Sequence, residues 1–239
     1  MPALTRAGAI SREKAPALAP VFNGYTLFWI FFSAAFAGAL TETAFMLLTR
    51  GELQSRSSLL YGQLSLVWGL GAVLFTLLFH RLWEGSAGRL FLAGALAGTA
   101  FEYLCSWVQE VCFGANFWDY RHLPLNLNGR VNLMFSLFWG LAAVVWVRCL
   151  LPPLCRLVGR LPQSPWRAVT VVLGVLLCAD ILLTAAALGR MDARHHQVPA
   201  ANPVQVFLDR NYSDRRLERS FSSLTYIGTP EDRRAAGMD

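Results

Sequence analysis

The sequence predicts an all-α fold: a polytopic transmembrane bundle of about five helices followed by a polar C-terminal tail. Three observations carry this expectation. Of 239 residues, 55% are hydrophobic and only 15% are charged, where a soluble domain carries about 25%. The mean hydropathy is +0.41. Several nearly uncharged runs reach the ~20 residues that cross a bilayer core. A soluble enzyme, a disordered chain and a small disulfide scaffold do not fit this composition.

The elements follow in order. Residues 1–24 form a polar N-terminal segment with no apolar core of a cleavable signal, so the first spanning helix is expected to direct insertion. The bundle is expected over 25–189, with spans at about 25–48, 60–79, 90–112, 131–151 and 168–188. In lipid every backbone N–H and C=O must find a partner inside the protein, so these runs must be helices. At ~1.5 Å per residue each is long enough for a core of ~30 Å. Pro152-Pro153 is expected to stop the fourth helix. Cys155 to Trp166 then reads as a short amphipathic connector, and 190–239 as an extramembrane tail. Asn202 to Phe221 is expected to form a peripheral helix, and the last ten residues to be disordered.

Charge and cysteine usage bound the partners. The net charge is +6, and every one of the 21 basic residues except Lys14 is arginine. They lie at segment ends and in the tail, as expected of a protein whose partner is the lipid bilayer and not nucleic acid. They fall on both faces, and their count leaves the orientation of the termini open. The five cysteines, at 105, 112, 149, 155 and 178, form no C-x-x-C pair and read as small hydrophobes. There is no H-E-x-x-H, no G-x-S-x-G and no metal-spaced histidine. No catalytic residue, metal ligand or cofactor is assigned.

Polar residues inside the spans need a reason, because each ionisable one costs at least ~2.5 kcal/mol on insertion scales. Glu42 falls late in the first helix, Glu102 and Glu110 late in the third, and Asp180 past the middle of the fifth. Asn132 and Ser136 open the fourth, and Gln63 and Ser65 the second. Successive helices alternate in direction, so all these side chains share one leaflet. Glu102, Ser106, Gln109 and Glu110 also share one face of the third helix. The expectation is an intramembrane polar cavity built from Glu42, Glu102, Ser106, Glu110, Asn132 and Asp180. The plainer alternative is a set of interhelical hydrogen bonds. Gly94 and Gly98, matched by Ala34 and Gly38, serve either packing within the chain or a contact between copies in a homo-oligomer.

The third loop carries the densest motif: Trp118, Asp119, Tyr120, Pro124, Asn126, Asn128, Gly129 and Arg130. Asn128-Gly129 is a strong turn dipeptide. Asp119 and Arg130, opposite in sign, are expected to close the loop over the cavity. The loop is then either an interfacial segment pinned by its aromatics, or a re-entrant lid whose Asp119, Asn128 and Arg130 touch a substrate or a carboxylate of the third helix.

These residues resemble the signature of the CmpB-like family of ABC-transporter type IV permeases. The pattern is Glu102-Tyr103, Glu110, Trp118-Asp119-Tyr120, Pro124, the run from Asn126 to Arg130, and Trp139-Gly140. Leu59 to Leu74 is similar to a second family segment, with Gln63 and Leu66 in place of its prolines, and Glu42 sits where the family has a glutamate ending its first helix. The resemblance implies a multi-pass bacterial cytoplasmic-membrane protein. Its function would be that of a permease-like subunit. The only lysine precedes Ala15, so the chain has no G-K-[ST] phosphate loop, and ATP hydrolysis would fall to a separate subunit. Two other functions stay open: a non-catalytic membrane scaffold or accessory protein, and an intramembrane enzyme acting on envelope lipid intermediates.

Overall fold

A computed structural model of the protein describes residues 22–51, 53–82 and 85–229. The expectations for the N-terminal segment before residue 22 and for the last ten residues lie outside the described residues. Helix α1 runs Gly24–Arg50. Asn23 caps its N-terminus by accepting a hydrogen bond from the Thr26 amide at 2.9 Å, and Gly51 ends it in the left-handed region at φ 70°. Helix α2 runs Leu66–Phe79 and α3 Ala87–Phe113. After the third loop come α4, Leu133–Val145, and α5, Leu151–Arg160. Helix α6 spans Gln163–His195, and the tail folds into α7, Pro203–Asn211, and α8, Asp214–Ser220.

Among the described residues, four helical stretches are long and apolar enough to cross a membrane: Gly24–Thr49, Ala87–Phe113, Leu133–Arg160 and Ser164–His195. Leu66–Leu82 is a shorter apolar helix. The chain is a helical membrane protein.

Three boundaries differ from the sequence expectation, each for a local reason. The second helix begins at Leu66 and not near residue 60, because Gly62 takes φ 79° and residues 53–65 fold back on themselves. Within this segment the Ser58 amide donates to the Leu64 carbonyl at 2.8 Å. The Ser65 amide donates to the carbonyl of Ala35, near the middle of α1, at 2.9 Å. Pro152-Pro153 does not stop the fourth helix. A π turn at Trp146–Leu150 precedes the prolines and puts them in the first turn of α5, where missing N–H groups cost nothing. The connector is accordingly mostly α5, and the break falls at Leu161-Pro162 before α6.

The tail is docked. Leu208, Tyr212, Leu217 and Phe221 pack on Ala187, Leu188 and Met191 of α6. Two short strands, β1 at Ala115–Asn116 and β4 at Thr225–Tyr226, pair antiparallel and fasten the tail to the start of the third loop. The Tyr212 and Tyr61 hydroxyls meet at 2.9 Å. Arg190 donates to Asp209 from Nε at 3.0 Å and Nη2 at 2.8 Å, and Arg194 bridges Asp209 and Asp214. The hydrogen bonds from Arg190, reinforced by Arg194, hold the Asp209 carboxyl below the ordinary carboxylate range.

A depressed carboxylate stabilises the docked tail above its unfolded pKa, ~3.9, and that stability is lost as pH falls through the lower folded value. Pepsin cleavage of residues 203–226, normalised to an unfolded substrate, is therefore expected to rise steeply below pH ~4, by at most about tenfold per pH unit for this one group. Asp209→Asn is expected to be open already at pH 5. A tail equally protected in wild type and variant at both pH values would contradict the ion-pair account.

Candidate functional site

The site is built on two helical hairpins, α1–α2 and α3–α4, that place the same side chains in the same relation. In the first, Gly38 leaves room on α1 for the Trp68 ring of α2; a side chain at 38 would overlap it. One turn further on, Glu42 accepts the Trp68 indole N–H at 2.5 Å. In the second, Gly98 on α3 leaves room for Trp139 of α4, and Glu102 accepts the Trp139 indole N–H at 3.0 Å. The correspondence extends outward. Gly69 faces Phe31 as Gly140 faces Phe91. Ile30 and Leu90, at equivalent positions, are both fully buried. The two tryptophans meet, ring centroids 6.3 Å apart.

The chain thus contains an internal repeat related in parallel fashion, since α1 and α3 run the same way, as do α2 and α4. Its signal is present in the sequence and was not part of the residue-by-residue expectation. Trp68-Gly69-Leu70-x-Ala72-Val73 recurs as Trp139-Gly140-Leu141-x-Ala143-Val144, and Phe31, Gly38 and Glu42 recur at one constant offset as Phe91, Gly98 and Glu102. The matched pairs Ala34/Gly38 and Gly94/Gly98 are part of the same trace.

The two carboxylates differ in their remaining partners. Glu102 is 6% exposed, and its other oxygen accepts the Tyr120 hydroxyl at 2.9 Å. Burial, and after it the nearby Glu102 charge, pushes the Tyr120 hydroxyl well above its ordinary range, so it remains a donor. Glu42 is half-buried and pairs with Arg56 of the 53–65 segment at 3.3 Å. Arg56 and Glu42 both act electrostatically on Tyr120, which joins the two halves of the cluster. Tyr120 also stacks on Phe135 of α4, centroids 4.6 Å apart.

The other expected site residues separate into two further groups. Along α3 the buried stripe is Leu90, Gly94, Gly98, Glu102, Ser106 and Glu110. Glu110, 3% exposed, pairs with Arg130 of the third loop, and Arg130 also reaches Ser106 at 3.5 Å and lies over the Tyr103 ring. The expected Asp119–Arg130 closure does not occur. Asp119 pairs with its neighbour Arg121 at 3.2 Å in a tight local turn, leaving Arg130 to the buried carboxylate.

The rest of the loop motif builds the platform that aims Tyr120 and Arg130. Strands β2, Asn126–Leu127, and β3, Val131–Asn132, form a hairpin. Its connection is Asn128 to Arg130: the Arg130 amide donates to the Leu127 carbonyl at 3.0 Å, and inside that turn Asn128 and Gly129 take φ 54° and 69°, the left-handed region that asparagine and glycine tolerate. The Asn126 side chain accepts the Gly129 amide at 3.0 Å, and Asn128 donates to the Tyr103 hydroxyl at 3.0 Å. Trp118 donates to the Arg130 carbonyl at 2.9 Å, and Asn132 caps α4 through the Met134 amide at 2.9 Å.

Asp180 belongs to the third group. It accepts the Tyr61 amide at 3.3 Å, and its neighbour Thr184 accepts the Leu60 amide at 3.1 Å. These two side chains supply acceptors for amides that the 53–65 segment, not being helical, leaves without partners. Glu42 and Glu102 therefore share one cluster with Arg56 and Tyr120, while Glu110 and Asp180 each secure a separate segment.

Gly38→Ala and Gly98→Ala are each expected to displace a tryptophan and lower stability by about 1–3 kcal/mol, the usual cost of overpacking. Thermal unfolding in detergent checks this, and the equivalence of the halves requires losses of similar size. A loss at one glycine only would argue against that equivalence.

A family model described as Putative ABC-transporter type IV matches residues 29–185, a stretch that holds both hairpins, the third loop and Asp180. No curated protein and no solved structure matches the chain significantly. The match covers well over half of the chain, and the protein belongs to this ABC-transporter type IV family of membrane proteins.

Proposed function

We propose that the chain is the multi-pass, permease-like subunit of an ABC-type system in the bacterial cytoplasmic membrane, and that Glu42 and Glu102 line its path. The observation that carries this reading is the repeated carboxylate–indole unit, meeting its counterpart at Trp68 and Trp139. Transporters recurrently place substrate and coupling-ion sites where two repeats meet, beside backbone that is not helical at membrane depth. The 53–65 segment, bonded to mid-α1 and contributing Arg56 to Glu42, supplies such backbone. Two carboxylates there favour a cation, a proton-coupled step, or a basic or polyhydroxylated solute. Tyr120 and its loop would act as the gate, since opening would withdraw one hydrogen bond from Glu102.

A second reading rests on a specific observation. Both oxygens of Glu102 already have protein donors, as a purely structural carboxylate in a scaffold protein would.

The two readings part on one preparation. The full chain, affinity-purified from its own membrane under mild detergent, is expected by native mass spectrometry to carry an ATP-hydrolysing subunit. Glu102→Gln keeps the shape of the acceptor and is expected to lower ATP turnover of that complex by about tenfold or more, equivalent to ~1.4 kcal/mol or more, with assembly intact. A chain without an ATPase partner overturns the ABC assignment. Unchanged turnover with a lowered melting temperature establishes the scaffold reading.

A further inference from the structure

The two carboxylate–indole units differ in a way that helix packing does not require. At Glu102 both donors are neutral, the Trp139 indole and the Tyr120 hydroxyl, and the residue is 6% exposed. At Glu42 the Trp68 indole takes Oε1, while Oε2 is held by a cation, Arg56, through Nε at 3.3 Å. This pair is open, with 33% of the Glu42 side chain and 21% of the Arg56 side chain exposed. A solute can therefore reach both groups. Ser55, exposed and next to Arg56 in the chain, donates to exposed Gln63 at 3.0 Å and adds a polar rim.

Arg56 is not what holds the 53–65 segment in place. The Ser57 hydroxyl bridges the Leu59 and Leu64 carbonyls, and the Ser65 amide bonds to Ala35 of α1. The Leu60 and Tyr61 amides are accepted by Thr184 and Asp180 of α6. Arg56 itself makes one hydrogen bond among the described residues, the one to Glu42. Arg130, Arg190 and Arg194 each reach acceptors on at least two residues. A charge-assisted pair normally closes to about 2.7–2.9 Å, so a single bond at 3.3 Å is a loose one. Glu42 thus binds a guanidinium that is neither needed for the local fold nor held by anything else.

We infer that Arg56 is a tethered stand-in for the cargo, and that the cargo is an organic cation with N–H donors, such as a guanidinium compound, which displaces Arg56 from Glu42 Oε2. The Trp68 indole keeps Oε1 throughout, so the carboxylate stays aimed while its second partner is exchanged. With no cargo present the arginine neutralises a carboxylate inside the membrane. Its presence also lowers the apparent affinity for cargo, by the fraction of time the site is free. Calling the displacing cation cargo rests on the permease reading; its binding at Glu42 does not.

The test is equilibrium dialysis of the full chain in mild detergent, with methylguanidinium and tetramethylammonium as probes of equal charge. Arg56→Gln removes the competitor and is expected to bind methylguanidinium about tenfold or more tighter than the wild type. Arg56→Lys restores a tethered charge and is expected to return the affinity to the wild-type level. Glu42→Gln is expected to abolish binding in the wild-type and Arg56→Gln backgrounds alike. Equal affinity in wild type and Arg56→Gln would overturn the inference, as would tetramethylammonium binding as tightly as methylguanidinium. Should Arg56→Gln fail to fold, the wild type against Glu42→Gln decides, and equal binding by those two overturns the site. A chain that carries its ATPase subunit but binds no methylguanidinium overturns this inference alone. A chain that binds the cation at Glu42 without any ATPase subunit overturns the ABC assignment alone.

Discussion

A carboxylate buried among helices in a membrane must be given donors by the protein itself. That constraint, met at Glu102, organises most of what surrounds it. One oxygen takes the Trp139 indole and the other the Tyr120 hydroxyl. The first bond requires α4 to lie close against α3, and Gly98 makes that approach sterically open. The second requires the third loop to turn back over the bundle, which is the work of the Asn128-Gly129 hairpin and of the Arg130–Glu110 pair beneath it. Removing any one of these leaves a polar group in hydrocarbon, where each unsatisfied group costs several kcal/mol.

The α1–α2 hairpin solves the same problem more loosely. Glu42 has its indole but takes Arg56 where Glu102 has a phenol, and it retains about a third of its side-chain exposure. The two halves share a plan and differ in how firmly the carboxylate is closed in. Such asymmetry within a repeat gives the two sites different access to water without changing the helices that hold them.

The helical class, the run of apolar spans and the polar tail were legible from hydropathy alone, because a bilayer permits few other solutions. The stripe on α3 from Glu102 to Glu110 followed from 3.6-residue periodicity. What escaped that reading depended on partners distant in the chain. Asp119 lies opposite in sign to Arg130, but Arg121 is nearer and Glu110 is buried, so the charges pair differently. Asp180 looks like one more acidic wall residue until the amides of the 53–65 segment are seen to need acceptors. Gly62, with its positive φ, breaks a run that hydropathy reads as continuous helix. The double proline is read as a stop only if every helix must be regular; a π turn ahead of it removes the conflict. The repeat was written in the residues, but finding it requires comparing two segments rather than reading one.

The pairing of Ala115 with Tyr226 has a consequence for biogenesis. Between those two residues lie two of the chain's membrane spans, so the strand that completes the sheet leaves the ribosome only after every span has been made. Until then the α6 face that the tail covers, at Ala187, Leu188 and Met191, stays bare, and it is sealed in a late, post-insertional step. A nascent chain stalled after His195 would hold all its spans yet lack this seal, presenting Leu188, Met191 and Phe113 to membrane quality-control proteases. The strand pair thus marks the point at which the inserted chain becomes a finished protein.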